Sequence, residues 1–337
     1  MCKSPLHSLI AELPKCEHHL HLEGCLTPAL LFQLAAKNNI NLPSQDEYQS
    51  QEALEKRYSH FTNLSDFLQY YYRALTILIT ASDFEQLAWS YFQTAHHDGV
   101  QHAEVFFDPQ SHTSRGVKLE TVVEGFKAAC ERARREFGIT SCLIMCFLRH
   151  LPLEDAAETM DEAVRGGYFE GGGDQGRIFT SVYAKAKELG VHRTAHAGEE
   201  GDPSYIAAAL DSLGVERIDH GVRLAEDPAL MRRVVAEGLL LTVCPLSNVC
   251  LQVVQKVGQL PIRDFLKAGV KFSINSDDPA YFGGYVLDNY CAVQEAFDLA
   301  IDEWRQIVTN SIECSWIKKE RKSELMSNLN RVLDRYR

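Results

Sequence analysis

A parallel (β/α)8 barrel of the TIM type with additional C-terminal helices is the fold class this sequence predicts. Short apolar strand-like segments alternate with amphipathic helix-like ones from residue 16 to residue 275, and chemistry-bearing side chains recur where the strand-like segments end. A length of 337 residues suits one such barrel. No linker, repeat or low-complexity segment divides the chain, so a single domain over residues 1–337 with a helical tail is expected.

The first strand is expected at 16–22, because Thr27-Pro28 reads as the N-cap and first position of an amphipathic helix that runs to Lys37. His19 and His21 stand two apart in that strand and share a face, with His18 on the other. Helical spacing follows over 64–78 and 82–97, the second opened by a capping box at Ser82-Asp83-Phe84-Glu85. Residues 101–107 read as a strand stopped by Asp108-Pro109, 119–137 as a helix closed by Gly138, and 141–148 as an apolar strand. Helices are expected at 153–164 and at 178–189, where Gly190 ends the second. Strands recur at 191–196, 217–220, 239–243 and 270–275, separated by helices at 205–213, 228–237 and 262–267. Helices at 290–300, 302–314 and 318–335 finish the chain.

These are seven strands, and an eighth has room only between Ala163 and Ile178. That stretch is glycine-rich from Gly166 to Gly176 and has no β-branched run, so propensity favours a loop. The fourth barrel strand, over 163–178, is therefore expected to be atypical or missing. A phosphate-cradling loop is disfavoured there, because the Lys-Ser/Thr of a P-loop and a preceding strand are both lacking.

Lys and Arg number 34 against 46 Asp and Glu, giving a formal charge of -12. That balance disfavours nucleic acid and anionic membranes as partners and favours a small molecule. The longest uncharged apolar run, 141–148, is too short to cross a bilayer, and residues 1–12 lack a signal-peptide core. A cytoplasmic protein is expected, with the nucleus as a further compartment. The 10 cysteines, without a C-x-x-C pair, fit free thiols in a reducing compartment. Oligomeric state is not legible in the sequence.

His19, His21, His196, Glu199, His220, Asp277 and Asp278 all fall at the C-terminal ends of expected strands. In a parallel barrel those ends share one mouth, where active sites form. Three histidines and a carboxylate suit Zn²⁺ with one position left for water, whose pKa the metal would lower from ~15.7 towards ~7. Glu199 then suits a general acid and His220 a base, with one Asp as ligand and the other as substrate contact.

The motifs His19-x-His21, His196-Ala197-Gly198-Glu199, Asp219-His220-Gly221 and Ser276-Asp277-Asp278-Pro279, in that order, resemble those of the adenosine and adenine deaminase family. Leu13-Pro14-Lys15-Cys16-Glu17 and the run from Asp278 to Tyr285 look like its adenine deaminase branch, found in fungi and bacteria. The resemblance implies a (β/α)8 barrel with one Zn²⁺ held by His19, His21, His196 and Asp277, and hydrolysis of adenine to hypoxanthine and ammonia in purine salvage. It further implies that Glu199 protonates N1, that His220 positions the attacking oxygen with Asp277, and that Asp278 hydrogen-bonds N7. Gly198 and Glu23 join Asp278 as substrate-binding residues. Glu23 stands where adenosine deaminases commonly carry Asp, and its longer side chain would crowd the place of a ribose.

Adenosine and N6-modified adenine nucleotides are the alternative substrates, and a non-catalytic purine-binding protein is the alternative of another class. Family members carry a fourth strand ending in a Gly-Leu-Asp-Ser-Ser-Glu type motif, whose glycine amide binds N3. Its replacement by the glycine-rich stretch implies reduced activity. The pairing of His-x-Glu with Pro-Cys-x-x-Cys that marks cytidine-type zinc deaminases is absent.

Overall fold

The protein is described by a computed structural model covering residues 3–168 and 178–336. All seven expected strands are present: β1 (Lys15–Glu17), β2 (Val100–Phe107), β3 (Thr140–Met145), β4 (Thr194–Ala197), β5 (Arg217–His220), β6 (Leu240–Val243) and β7 (Lys271–Ile274). They pair in parallel as β1-β2-β3 and β4-β5-β6-β7. The two groups meet just beyond β1 and β7, where the Asp277 N–H donates to the His19 carbonyl at 3.0 Å and the His21 N–H to the Asp277 carbonyl at 2.9 Å. The spatial order is therefore β3-β2-β1-β7-β6-β5-β4, an arc of parallel strands with helices between them, as a (β/α)8 barrel requires.

Local chemistry sets the helices. Thr27 caps Pro28–Lys37 by accepting the Leu30 N–H, Gly138 ends Leu119–Phe137 in the left-handed region at φ 71°, and Asp227 caps Pro228–Glu237 through the Ala229 and Leu230 N–H groups. Three expectations need correction. The first strand stops at Glu17 instead of running to 22, because beyond it the chain makes only single bridges at Leu20 and His21. The capping box lies two residues earlier than expected: Thr80 is the N-cap of Ala81–His97, and the Asp83 carboxylate takes the N–H groups of Thr80 and Ile79 at 2.8 and 3.0 Å. The helix expected at 205–213 is Pro203–Ala208, followed by a wider π turn over Ala209–Leu213. Short helices such as Gln51–Tyr58 and Pro245–Cys250 were not expected, since two turns or fewer show little period.

Away from the strand C-termini, Glu104 of β2 and Arg217 of β5 form a buried ion pair of 2.6 Å, with the Arg217 guanidinium 3.8 Å from the centre of the Trp316 ring. Trp316 follows the helix Ile301–Cys314, so this pair ties two barrel strands to the C-terminal helices.

The arc differs at its two ends. Every residue of β5 and β6 is buried, whereas all six of β3 are only half-buried. β3 and β4 follow one another in the chain yet are not paired, and the Tyr183 hydroxyl donates to the Thr194 carbonyl of β4 at 2.6 Å. Helices Leu153–Arg165 and Ile178–Glu188, which connect β3 to β4, contribute to a small apolar cluster of Ala156, Met160, Val182 and Leu189 that is separate from the main core. Of the stretch expected to hold an atypical or missing fourth strand, residues 163–168 finish a helix and a turn. Residues 169–177 lie outside the described residues.

Candidate active site

Where β1, β4 and β7 end, His19, His21, His196 and Asp277 bring one donor atom each to within 4.8 Å of one another. His21 Nε2 and His196 Nε2 are 3.3 Å apart, and Asp277 Oδ1 lies 3.3 Å from His19 Nε2 and 3.7 Å from His21 Nε2. His18 is not in the cluster: as expected for the opposite face, its ring packs between the Ser273 and Ser315 hydroxyls at 3.1 and 2.8 Å.

The surroundings fix how these groups present themselves. The Thr242 hydroxyl donates to Asp219 Oδ1 at 3.0 Å, so at its 2.9 Å contact with His19 Nδ1 it accepts. The proton of His19 is thereby held on Nδ1, and the Nε2 lone pair faces the cluster, buried and without a hydrogen-bond partner. Asp219 also approaches His196 Nδ1, at 3.6 Å, and Ser247 donates to Asp277 Oδ2 at 2.6 Å. Burial first, then the neighbouring imidazoles, lowers the proton affinity of His196 well below its ordinary value. Burial alone would raise Asp277, but His19, His220 and His21 outweigh it and hold its carboxylate well below the usual range. Imidazole nitrogens and an ionised carboxylate converging on one point, with a buried orphan lone pair among them, form a donor set that fits a divalent cation such as Zn²⁺.

Glu199 and His220 flank the cluster. His220 Nε2 is 3.5 Å from Glu199 Oε2 and 3.8 Å from Asp277 Oδ2, while Glu199 Oε1 is buried with no partner. Burial, with the Asp277 charge beside it, pushes Glu199 up to about 8, and burial lowers His220. At neutral pH the first is an acid holding its proton and the second a base without one. Asp278 is raised well above the usual carboxylate range by burial and by Asp277, so it too keeps a proton to donate. Its Oδ1 is buried without a partner.

The backbone is strained at the centre of this arrangement. His220 and Asp277 are non-glycine residues in the left-handed region, at φ 60° and 64°. Such conformations are unfavourable for L-residues, and here they aim both side chains at the cluster. Gly24 is required by close approach, since a Cβ there would run into the Asp278 side chain.

A cavity of about 790 Å³ opens onto this group and is lined by His21, His196, Glu199, His220, Asp277 and Asp278, with an apolar extension along β3 and Val182 to Trp316. Gly198 and Glu23 are not among its lining residues. Gly198 forms the turn between His196 and Glu199 at φ +69°, and Glu23 is fully buried, its Oε1 taking the Asp108 N–H at 3.0 Å and His112 Nε2 at 2.9 Å. The supporting roles of Thr242, Ser247 and Asp219 carried no sequence assignment, although each lies at or just beyond a strand end. Asp108, which also lines the cavity, was read only as a strand breaker.

The model of the adenosine deaminase family matches residues 14–332. An adenine deaminase of Aspergillus oryzae is 56% identical over 348 positions, covering 100% of this chain and 99% of that protein. One of Aspergillus fumigatus is 58% identical over 345 positions, covering 98% and 97%. Among solved structures, the adenine deaminase of Arthrobacter aurescens superposes with a TM-score of 0.90 at 41% identity, covering 96% of this chain and 99% of that one. The 348 positions aligned with the A. oryzae protein exceed the 337 residues of this chain by 11, so that relative has residues opposite which this chain has none.

Proposed function

The chain belongs to the adenosine deaminase family, and on that premise we propose that it hydrolyses adenine to hypoxanthine and ammonia with one Zn²⁺ at the His19, His21, His196 and Asp277 cluster. The observation that carries this reading is the pairing of that donor set with a protonated Glu199 on one cavity wall. Identities of 56% and 58% to proteins named adenine deaminase support adenine as the substrate.

Zinc, when bound, supplies a Lewis acid that brings the pKa of a water in the pocket from ~15.7 towards ~7. Neutral His220 takes the proton that water gives up, and Ser247 holds Asp277 in place through its 2.6 Å hydrogen bond. Glu199 delivers its proton to N1 as the water oxygen bonds to C6, so the electron pair displaced from the C6–N1 bond has somewhere to go. Asp278 donates to N7 and fixes the ring plane. Breaking the C6–NH2 bond, with the proton held by His220 passed to the departing nitrogen, releases ammonia, and loss of the hydroxyl proton at C6 forms the C6 carbonyl of hypoxanthine. Asp219 and Thr242 act through His19, keeping its tautomer.

The cavity, at about 790 Å³, is at the large end for a small-molecule site, which favours N6-substituted adenines as second substrates. Ammonia release from adenine, adenosine and N6-methyl-AMP tests the assignment. The expected kcat/KM for adenine exceeds that for adenosine by at least roughly 100-fold, because a site that hydrogen-bonds the ring N–H of a free base rejects an analogue lacking that group. Comparable values for the two would overturn adenine as the substrate.

A further inference from the structure

Asp108 immediately follows β2 at the barrel mouth, and among the described residues it is the one acid of the cavity wall that the chemistry above leaves unused. It is 5% exposed and lines the cavity beside His21, Tyr71 and Asp278. Its placement is fixed from two directions. The Tyr71 hydroxyl donates to Oδ2 at 2.9 Å, and the Asp108 backbone N–H donates to Glu23 Oε1 at 3.0 Å. Glu23 is itself held from behind by His112, whose Nδ1 lies 2.8 Å from the Arg115 guanidinium. This network spends four charged or polar side chains on holding one carboxyl still.

A carboxyl in such a place is costly unless something donates to it. Among the described residues, Tyr71 is the only side chain that hydrogen-bonds to it, which leaves Oδ1 as an acceptor. Of the groups around it, Glu23 opposes its ionisation while His21, Tyr71 and His112 favour it, and Asp108 and Glu23 both act on Asp278. The missing donor is therefore expected from a ligand, and a neutral ring N–H suits a wall already crowded with carboxyls.

With C6 and N1 of a purine turned towards the metal cluster and Glu199, the five-membered ring faces Asp278 and its neighbour Asp108. N7 of adenine is an acceptor, and Asp278, whose Oδ1 is buried without a hydrogen-bond partner among the described residues, lies on that wall. N9 of the free base, across C8 from N7, carries a hydrogen. We propose that Asp108 accepts the N9–H of the free base and is thereby the residue by which this pocket rejects purines substituted at N9. In a nucleoside that hydrogen is replaced by ribose, which both removes the donor and drives the sugar into Asp108 and Tyr71. The role of Glu23 follows: it acts behind Asp108 as a positioning residue. This inference rests on the adenine reading of the same site.

The test compares kcat/KM for adenine and 9-methyladenine in the unsubstituted chain, in Asp108→Ala and in Tyr71→Phe, with bound zinc measured in each. Adenine turnover by the unsubstituted chain is measured first and tests the adenine reading by itself. The adenine to 9-methyladenine ratio then tests Asp108. In Asp108→Ala the ratio is expected to fall by roughly 100-fold or more, through loss on adenine and not on the methylated base, with zinc unchanged. Tyr71→Phe, which loosens Asp108 without removing it, is expected to lower the same ratio less; it also serves if Asp108→Ala fails to fold. An equal loss on both substrates, or an unchanged ratio in Tyr71→Phe with Asp108→Ala unfolded, would overturn the assignment. If the unsubstituted chain turns over no adenine, the ratio is read from Kd values for hypoxanthine and 9-methylhypoxanthine. An undiminished preference for hypoxanthine in the variants would then overturn it.

Discussion

Glu199→Gln lowers adenine turnover by roughly 1,000-fold while bound zinc is unchanged. Glutamine reproduces the shape of glutamate but has no carboxyl proton to deliver to N1, and none of the four clustered donors is altered. The same residue sets the sign of the pH dependence. A carboxyl raised to about 8 by burial and by Asp277 keeps its proton below that pH and loses it above. The limb of kcat/KM governed by Glu199 therefore falls as pH rises. A cation at the cluster shifts that limb to lower pH without reversing it. Rates measured with zinc content on the same samples check this, and a Gln variant as active as the unsubstituted chain would assign the acid elsewhere.

The second large effect concerns β3 and β4, the ends of the arc of strands among the described residues. Exchanging residues 163–178 for the corresponding stretch of the Arthrobacter relative is expected to raise kcat/KM for adenine by roughly 100-fold, the scale on which small misplacements of reacting groups act. The reasoning is physical. β3 and β4 are the terminal strands of the arc among the described residues, β3 is half-buried where β5 and β6 are buried, and an apolar extension of the cavity runs along it. Terminal strands that lack a partner leave backbone groups and apolar faces uncovered. His196 and Glu199 hang from the end of β4, so looseness in that strand reaches the acid and a metal ligand directly. Thermal unfolding supplies a readout apart from activity: the exchanged chain is expected to melt several degrees higher, as ~1–2 kcal/mol of added stability would give for a chain of this size or somewhat smaller. An unchanged melt and unchanged rate would mean that the barrel is already complete in function.

Much of this was legible in the sequence because the relevant signals are local. Strand 217–220 and helices 119–137 and 228–237 are bounded by residues whose backbone preferences or caps announce them, and the structure keeps those limits. Period two placed His19 and His21 on one face, and both join the cluster even though the strand itself ends at Glu17. The parts that could not be read depend on distant partners. Thr242 fixes the tautomer of His19 across 223 positions of chain, and Asp108 is recognisable only once Tyr71, Glu23 and the cavity surround it. Strand β3 looked like any apolar strand, but among the described residues it pairs only with β2 and is half-buried. Glu23 was legible as an unusual carboxylate but not as one directed at a neighbouring backbone and imidazole.

Adenine turnover by metal-stripped protein, titrated back with Zn²⁺, tests the proposed centre most directly. No turnover is expected in the stripped chain, with a linear rise to a plateau at one equivalent, and His196→Ala is expected to stay flat over the same range. Full turnover by the stripped, folded chain, or none at any zinc concentration, would contradict a zinc-dependent adenine deaminase built on His19, His21, His196 and Asp277.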